Sequence, residues 1–297
     1  MRTIYLIRHG HPDYPVGSRM CLGSTDTPLG PLGRMQACLL GEALSDAGIQ
    51  AVFTSPLSRC RDTAALLCRC LPEKPDPILV PEFSEQHMGV WDGLDFDTIK
   101  AQYPELYKAR GQDPLLVPPG AETLEEVRAR VMPAFAHCLG CPGAEGSDAP
   151  KEAGNIAIVA HASVIQAILA SLQGVPLSES RKLRLDYTGY VALTQEDTSF
   201  PDGIRVPQVE EALGIPHAMP LPLTPALAEK LLLAAAPGDR VIAHSRAVAQ
   251  EAKRIAEALR EGNAAEGAKG AAGDRAGSWS GDRADDLLFS AALLHDV

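Results

Sequence analysis

The 297-residue chain predicts an α/β fold, a three-layer sandwich with a largely parallel central sheet, followed by a small, incomplete all-α region. Two observations carry the prediction. Through the first two-thirds of the chain, short apolar runs alternate with stretches of helical periodicity, the signature of strands crossing over through helices. A proline-spaced segment then gives way to alanine- and leucine-rich sequence with helical spacing alone.

Strands are predicted at residues 3–8, 51–54 and 155–160, with a shorter apolar run at 78–80. A helix over 31–47 carries Leu32, Met35, Leu39, Ala43 and Ala47 on one face. Further helices are expected at 58–71, 96–103, 122–139 and 162–173. Residues 183–194, "LRLDYTGYVALT", read as a strand pair joined by a Thr-Gly turn. The polar, Gly- and Pro-bearing stretch 142–154 reads as a surface insertion. Domains are expected at 1–200 and 223–297, joined by a linker over 201–222. The second is interrupted by Gly-, Ala- and charge-rich residues 261–284 and ends at "LLFSAALLHDV", in mid-pattern, so it reads as truncated.

Hydrophobic residues make up 45% of the chain and charged residues 22%, ordinary for a soluble globular protein. No apolar run is long enough to span a bilayer, and the N-terminus enters a strand without the features of a secretory signal. Cytoplasmic residence with no membrane partner is the expectation. A formal net charge of -11 disfavours nucleic acid as a partner but leaves room for a local cationic pocket. Seven cysteines do not suggest a disulfide framework; Cys138 and Cys141 form a lone C-x-x-C, and Cys68 and Cys138 fall on apolar helical faces as packing residues. Homo-oligomer formation is left open.

The candidate site follows from where the strands stop. In α/β sheets, ligands bind beyond the carboxyl ends of strands. The first strand ends in Arg8, His9 and Gly10, the second runs into Ser55, Ser58 and Arg59, and a later one delivers His161. Arginines and histidines gathered at one edge call for an anion, and arginine forks match phosphate oxygens. A histidine there is placed to attack phosphorus as a covalent nucleophile, and the leaving alkoxide then needs an acid nearby. Gly10 and Gly23 suit close backbone approach, and Trp91 reads as core.

Six segments in order resemble the histidine phosphatase superfamily, which includes cofactor-dependent phosphoglycerate mutases, α-ribazole phosphatases and fructose-bisphosphate phosphatases. They are "LIRHG", "GSTDTPLGPLGRMQA", "TSPLSRCRDTA", "SEQHMGVWDGL", "PPGAETLEEVRARV" and "VAHASVI", spread over about residues 1–195. The resemblance implies a phosphoglycerate mutase-like fold, with His9 as the phosphohistidine-forming nucleophile. Arg8, Arg59 and His161 would grip the phosphoryl oxygens, and Glu85 would serve as acid and then base. Gly23 and Arg19 are candidate substrate contacts. No cofactor or metal is implied for this domain. The sequence departs from many members after R-H-G, where it reads "HPDYPVGSRMCLG". It also lacks the adjacent arginine pair of the mutases in "IKAQYPELYKARGQDP".

The expected activity is therefore hydrolysis of a small phosphorylated metabolite. The alternatives are mutase-type phosphoryl transfer and a non-catalytic phosphate-ester-binding regulator. In the C-terminal region, Val241, His244, Val248, Ala252, Ile255 and Leu259 share a helical face, and His295-Asp296 closes the terminal stripe. An inward His244 with that His-Asp pair resembles the HD domain, whose imidazole and carboxylate ligands suit a divalent metal. The family's later aspartate lies outside this sequence, so His244, His295 and Asp296 form an incomplete metal set that would bind a divalent ion only if completed.

Overall fold

A computed structural model describes residues 1–15, 18–140, 154–197, 199–206, 225–235 and 239–266. In chain order its elements are β1 (Arg2–Arg8), α1 (Pro31–Ala43), β2 (Ile49–Thr54), α2 (Ser58–Cys70), β3 (Ile78–Leu79), α3 (Phe96–Gln102) and α4 (Pro104–Gln112). There follow α5 (Leu124–Cys138), β4 (Asn155–Ala160), α6 (Ala162–Gln173), β5 (Tyr190–Gln195), β6 (Ile204–Arg205), α7 (Pro225–Ala235) and α8 (Asp239–Glu266).

The two-residue period of a strand sends alternate side chains to opposite faces, and here both faces are apolar. On one face Ile4 and Leu6 of β1, Ala51 and Phe53 of β2, and Ile156 and Ile158 of β4 pack with Val127, Val131 and Phe135 of α5 and Val164 and Ile168 of α6. On the other, Ile7, Val52, Ala157 and Val159 meet Leu40 of α1 and Cys60, Ala64, Leu67 and Cys68 of α2. The layers are thus α5 and α6, the sheet, and α1 with α2.

The sheet has six strands in the order β3-β2-β4-β1-β5-β6. Strands β1 to β4 pair in parallel, and β5 and β6 are antiparallel additions at one side. Register sets Arg8 opposite Ala160 and Thr54 opposite Val159. The carboxyl ends of the three central parallel strands therefore finish side by side.

The expected α/β architecture and the four N-terminal strands are present. Three local expectations are corrected. Residues 183–194 are not a strand pair: a 3₁₀ segment runs over Leu177–Leu183, and only Tyr190–Gln195 pairs as a strand. The intervening backbone is taken up elsewhere, with Leu185 O accepting from Arg8 Nη1 at 2.8 Å and Thr188 N–H donating to Arg8 O at 3.1 Å. In α1 Leu39 is buried as expected, together with Gly33, Ala37, Cys38, Leu40 and Gly41, whereas Leu32 is 53% exposed and Ala43 is exposed. Small residues let α1 approach closely: a Cβ on Gly33 would lie 2.0 Å from His11 O. The helix α4 arises because Pro104, at its first position, restarts the chain after α3 ends.

The third correction concerns His244. The chain divides into a unit over Met1–Ala218 and another over Met219–Val297, of which α7 and α8 are described. Among the α8 positions whose burial is described, residues 239–254, Ser245 and Ala249 are buried and His244 is exposed; the side chains of Ile255 and Leu259 lie outside them. One residue is about 100° of helix, enough to turn His244 off the buried stripe. His295 and Asp296 lie outside the described residues, among which there is no cluster of three or more metal-ligating side chains. No helix among the described residues is long and apolar enough to cross a membrane.

Candidate active site

Backbone bonds fix where β1 stops. His9 N–H donates to Ala160 O at 3.1 Å, and Gly10 N–H donates to Thr63 Oγ1 at 3.0 Å. The tight turn at Gly10 lies against α1, where a Cβ would come 2.5 Å from Gly33 O. Arg59 enters from the first turn of α2, and His161 is the residue between β4 and α6. Glu85 sits on the loop after β3. Arg130 of α5 holds that loop, pairing with Glu122 and donating to the carbonyls of Glu82 and Glu85. Thr123 starts α5 with a capping box, its hydroxyl accepting from Glu126 N–H while the Glu126 carboxylate accepts from Thr123 N–H.

Arg8, His9, Arg19, Arg59 and Glu85 line one cavity of about 380 Å³. His161 is fully buried beside it, its ring 5.1 Å from that of His9. Gly23 acts one step back. Its carbonyl and that of Thr25 each accept from the Arg59 guanidinium at 2.8 Å. A Cβ on Gly23 would lie 2.5 Å from Gln86 O, so the loop can pass only as glycine. Trp91 is buried as expected, and so are Cys68 and Cys138.

The geometry at His9 selects a tautomer. Its Nδ1 lies 2.7 Å from the carbonyl of Gly10. A carbonyl only accepts, so Nδ1 carries the hydrogen and Nε2 of the neutral ring keeps its lone pair. Burial, then the charges of Arg59 and Arg8, push the His9 pKa well below its ordinary value. His161 is depressed too, by burial, Arg59 and His9, and its Nε2 lies 2.8 Å from Ser55 Oγ. Both rings are therefore neutral around neutral pH.

Arg8 and Arg59 are 7% and 1% exposed, and the Nε of each is buried without a protein partner. Arg8 donates to Leu185 O, and its guanidinium lies 4.1 Å from the centre of the Tyr187 ring. Neither arginine forms an ion pair with a carboxylate among the described residues. A buried cation is costly unless an anion compensates it. The carboxyl in the cavity is Glu85, whose pKa burial raises against the opposing pull of Gln86 N–H, Arg59 and Arg8. The arrangement offers two forks for a tetrahedral anion, a lone-pair nitrogen and a carboxyl able to hold a proton.

The family description of the histidine phosphatase superfamily (branch 1) matches residues 4–201. The chain belongs to the histidine phosphatase superfamily. This histidine phosphatase is 34% identical over 180 residues to a glucosyl-3-phosphoglycerate phosphatase of Mycobacterium tuberculosis, covering 60% of this chain and 78% of that one. It is 29% identical over 230 residues to a probable phosphoglycerate mutase of Proteus mirabilis, covering 71% and 100%. Among solved structures it is similar to the α-ribazole phosphatase of Shigella flexneri, with 26% identity, a TM-score of 0.56 and coverage of 71% and 96%. None of these likenesses supports an HD-type partner for the phosphatase.

Several residues of the histidine phosphatase site went unmarked in the sequence. Tyr187 lies against the rings of both His9 and His11, at 5.6 and 5.1 Å between centres. Its hydroxyl is 2.9 Å from that of Tyr14. Asp92 accepts from the backbone of Gly23, Ser24 and Thr25 and from both hydroxyls. Burial works against its charge, but the bonds from Thr25, Ser24 and Gly23 outweigh it and hold the pKa at about 2. That fixes the very loop whose carbonyls orient Arg59. Arg110, Arg181 and Arg184 also line the cavity. Their separation in sequence from R-H-G hid the arginines, and Asp92, inside the "SEQHMGVWDGL" segment, carries no local pattern that links it to the distant Gly23–Thr25 loop.

Proposed function

We propose that this histidine phosphatase hydrolyses a small phosphomonoester through a phosphohistidine on His9. The observation that carries the reading is the Nδ1–H bond from His9 to Gly10 O, which leaves Nε2 as the nucleophilic nitrogen of a neutral ring beside two buried arginines. In the first step Nε2 forms a bond to phosphorus as the phosphorus–oxygen ester bond breaks. Glu85, whose hold on a proton burial strengthens, gives its proton to the leaving alkoxide. In the second step the Glu85 carboxylate takes a proton from water, whose oxygen bonds to phosphorus as the bond to Nε2 breaks. Inorganic phosphate leaves, and both residues return to their starting states.

Arg8 and Arg59 neutralise the equatorial oxygens throughout, the main source of rate in phosphoryl transfer. His161, neutral in the free protein, gains a proton more readily once a phosphoryl dianion lies beside it and then donates to an oxygen. The scheme calls on no metal. It also needs no phosphorylated primer, which separates it from mutase-type transfer, and an intact His9, Arg59 and Glu85 set separates it from a non-catalytic binder.

The test is hydrolysis of an aryl phosphate with excess chelator, comparing the wild-type protein with His9→Ala. Chelator-resistant turnover that the substitution lowers by roughly 10³-fold or more is expected. Chelator-sensitive turnover that survives the substitution overturns the proposal.

A further inference from the structure

The proposed acid, Glu85, stands on a loop, and a proton donor works only if its carboxyl is held where the leaving oxygen will be. One anchor of that loop is the start of α5: Arg130 donates to the carbonyls of Glu82 and Glu85, and Glu122 N–H donates to His87 O at 2.9 Å. A second anchor comes from α6. The Glu85 carboxyl accepts from Ser163 N–H, in the first turn of that helix, as well as from Gln86 N–H at 2.8 Å. A helix start carries backbone donors with no partner inside the helix, so a carboxyl oxygen placed there satisfies one of them.

Gln86 joins the two anchors. It is 1% exposed, and both ends of its side-chain amide are engaged. Its Nε2 donates to Glu122 O at 2.7 Å, just before the cap of α5, and its Oε1 accepts from Ser163 Oγ at 3.2 Å. The carbonyl of Glu122 only accepts, so the amide nitrogen must face it and the amide oxygen must face Ser163. Ser163 thus meets the loop twice, through its N–H at Glu85 and through its hydroxyl at Gln86. No step of the proposed reaction uses Gln86, and burying a primary amide costs free energy unless such bonds offset it.

Resting on the phosphatase reading, we infer that Gln86 is a positioning residue for the acid: its side-chain amide spans the starts of α5 and α6 and sets the Glu85 carboxyl against the first turn of α6. Arg130 secures the backbone of the loop, whereas Gln86 secures its spacing from α6. Without the Gln86 amide the loop keeps its hold on α5 and loses its link to the Ser163 hydroxyl. The carboxyl then drifts from the leaving oxygen while His9, Arg8 and Arg59 stay in place.

The experiment measures kcat/KM of the full chain for an alkyl and an aryl phosphate, with Gln86→Met and Ser163→Ala, each alone and combined with Glu85→Gln. Methionine keeps the length of glutamine and removes both bonds, whereas Ser163→Ala removes only the hydroxyl and retains the N–H that meets Glu85. Gln86→Met is expected to lower kcat/KM roughly 10- to 100-fold for the alkyl ester and no more than about threefold for the aryl ester. Ser163→Ala should show the same pattern with a loss of roughly 3- to 10-fold on the alkyl ester, and it decides alone if the methionine variant fails to fold. In the Glu85→Gln background neither substitution should lower the alkyl rate further, because no acid remains to be positioned. Equal losses on both esters, losses that persist in full beside Glu85→Gln, or no loss in a folded variant overturn the inference and leave the phosphatase reading standing. A wild-type protein that turns over neither ester removes that reading and the inference with it.

Discussion

The bond from His9 Nδ1 to Gly10 O and the burial of Glu85 set opposite requirements on protons: the imidazole must be neutral and the carboxyl must be charged with its proton. The environment pushes each group in the required direction, since burial lowers one pKa and raises the other. Activity should therefore fall on the acid side as His9 is protonated, well below the ordinary histidine range. On the alkaline side kcat should fall as pH rises through the Glu85 value, which lies above the ordinary carboxylate range of about 4.3. Glu85→Gln should remove that alkaline limb and cost roughly 10² to 10⁴ in kcat with alkyl esters. With an aryl ester, whose leaving group scarcely needs a proton, the loss in the phosphorylation step, read as kcat/KM, should be much smaller, while dephosphorylation stays slow for want of the base. A pH–rate profile of the variant that keeps the alkaline limb would assign the acid elsewhere. Linkage gives a matching stability trend. Because His9 and His161 bind a proton less readily folded than unfolded, stability falls as pH drops below about 6.5.

His9 and His161 follow the ends of β1 and β4 and Arg59 sits in the first turn of α2, elements whose positions are set by packing on the sheet faces, whereas Glu85 stands on a loop. Strand β1 has α5 and α6 on one side and α1 and α2 on the other, so its end is fixed in three dimensions before any ligand arrives. Helix α5 does more, since Arg130 holds the carbonyl of Glu85. Its capping box satisfies backbone donors that would otherwise be orphaned at the first turn. Thr123→Ala is expected to lower stability by about 0.5–2 kcal/mol in urea unfolding, and no change in midpoint would show that the cap is redundant. At this scale the sequence was legible where one periodicity dominated. The runs at 3–8, 51–54 and 155–160 are buried on both faces and became strands. The stretch at 183–189 has a strand's composition, but its backbone groups bond to Arg8 instead of to a ladder. In α1 the buried face follows Gly33, Ala37 and Gly41, small residues that a hydrophobicity pattern underweights. On α8, neighbouring Ser245 and Ala249 take the buried positions that His244 was expected to share.

Across the whole molecule, charge is segregated: an acidic chain concentrates arginine in one cleft at the carboxyl edge of its sheet. The R-H-G turn, the S-P-L-x-R segment and the late histidine motif revealed the inner half of that cleft, because each is local in sequence. The outer half was hidden because Arg110 and Arg181 meet only after α4 and the 3₁₀ segment fold together. In the proposed mechanism the inner half becomes covalently phosphorylated on His9. Rapid mixing with excess phosphomonoester, quenching in alkali to preserve a phosphoramidate, and mass analysis of the peptides tests it most directly. One phosphoryl group on the peptide containing His9, formed and lost at rates compatible with turnover and missing in His9→Ala, is the expected result. Full turnover with no phosphorylated peptide, or with the group on another residue, would contradict the account.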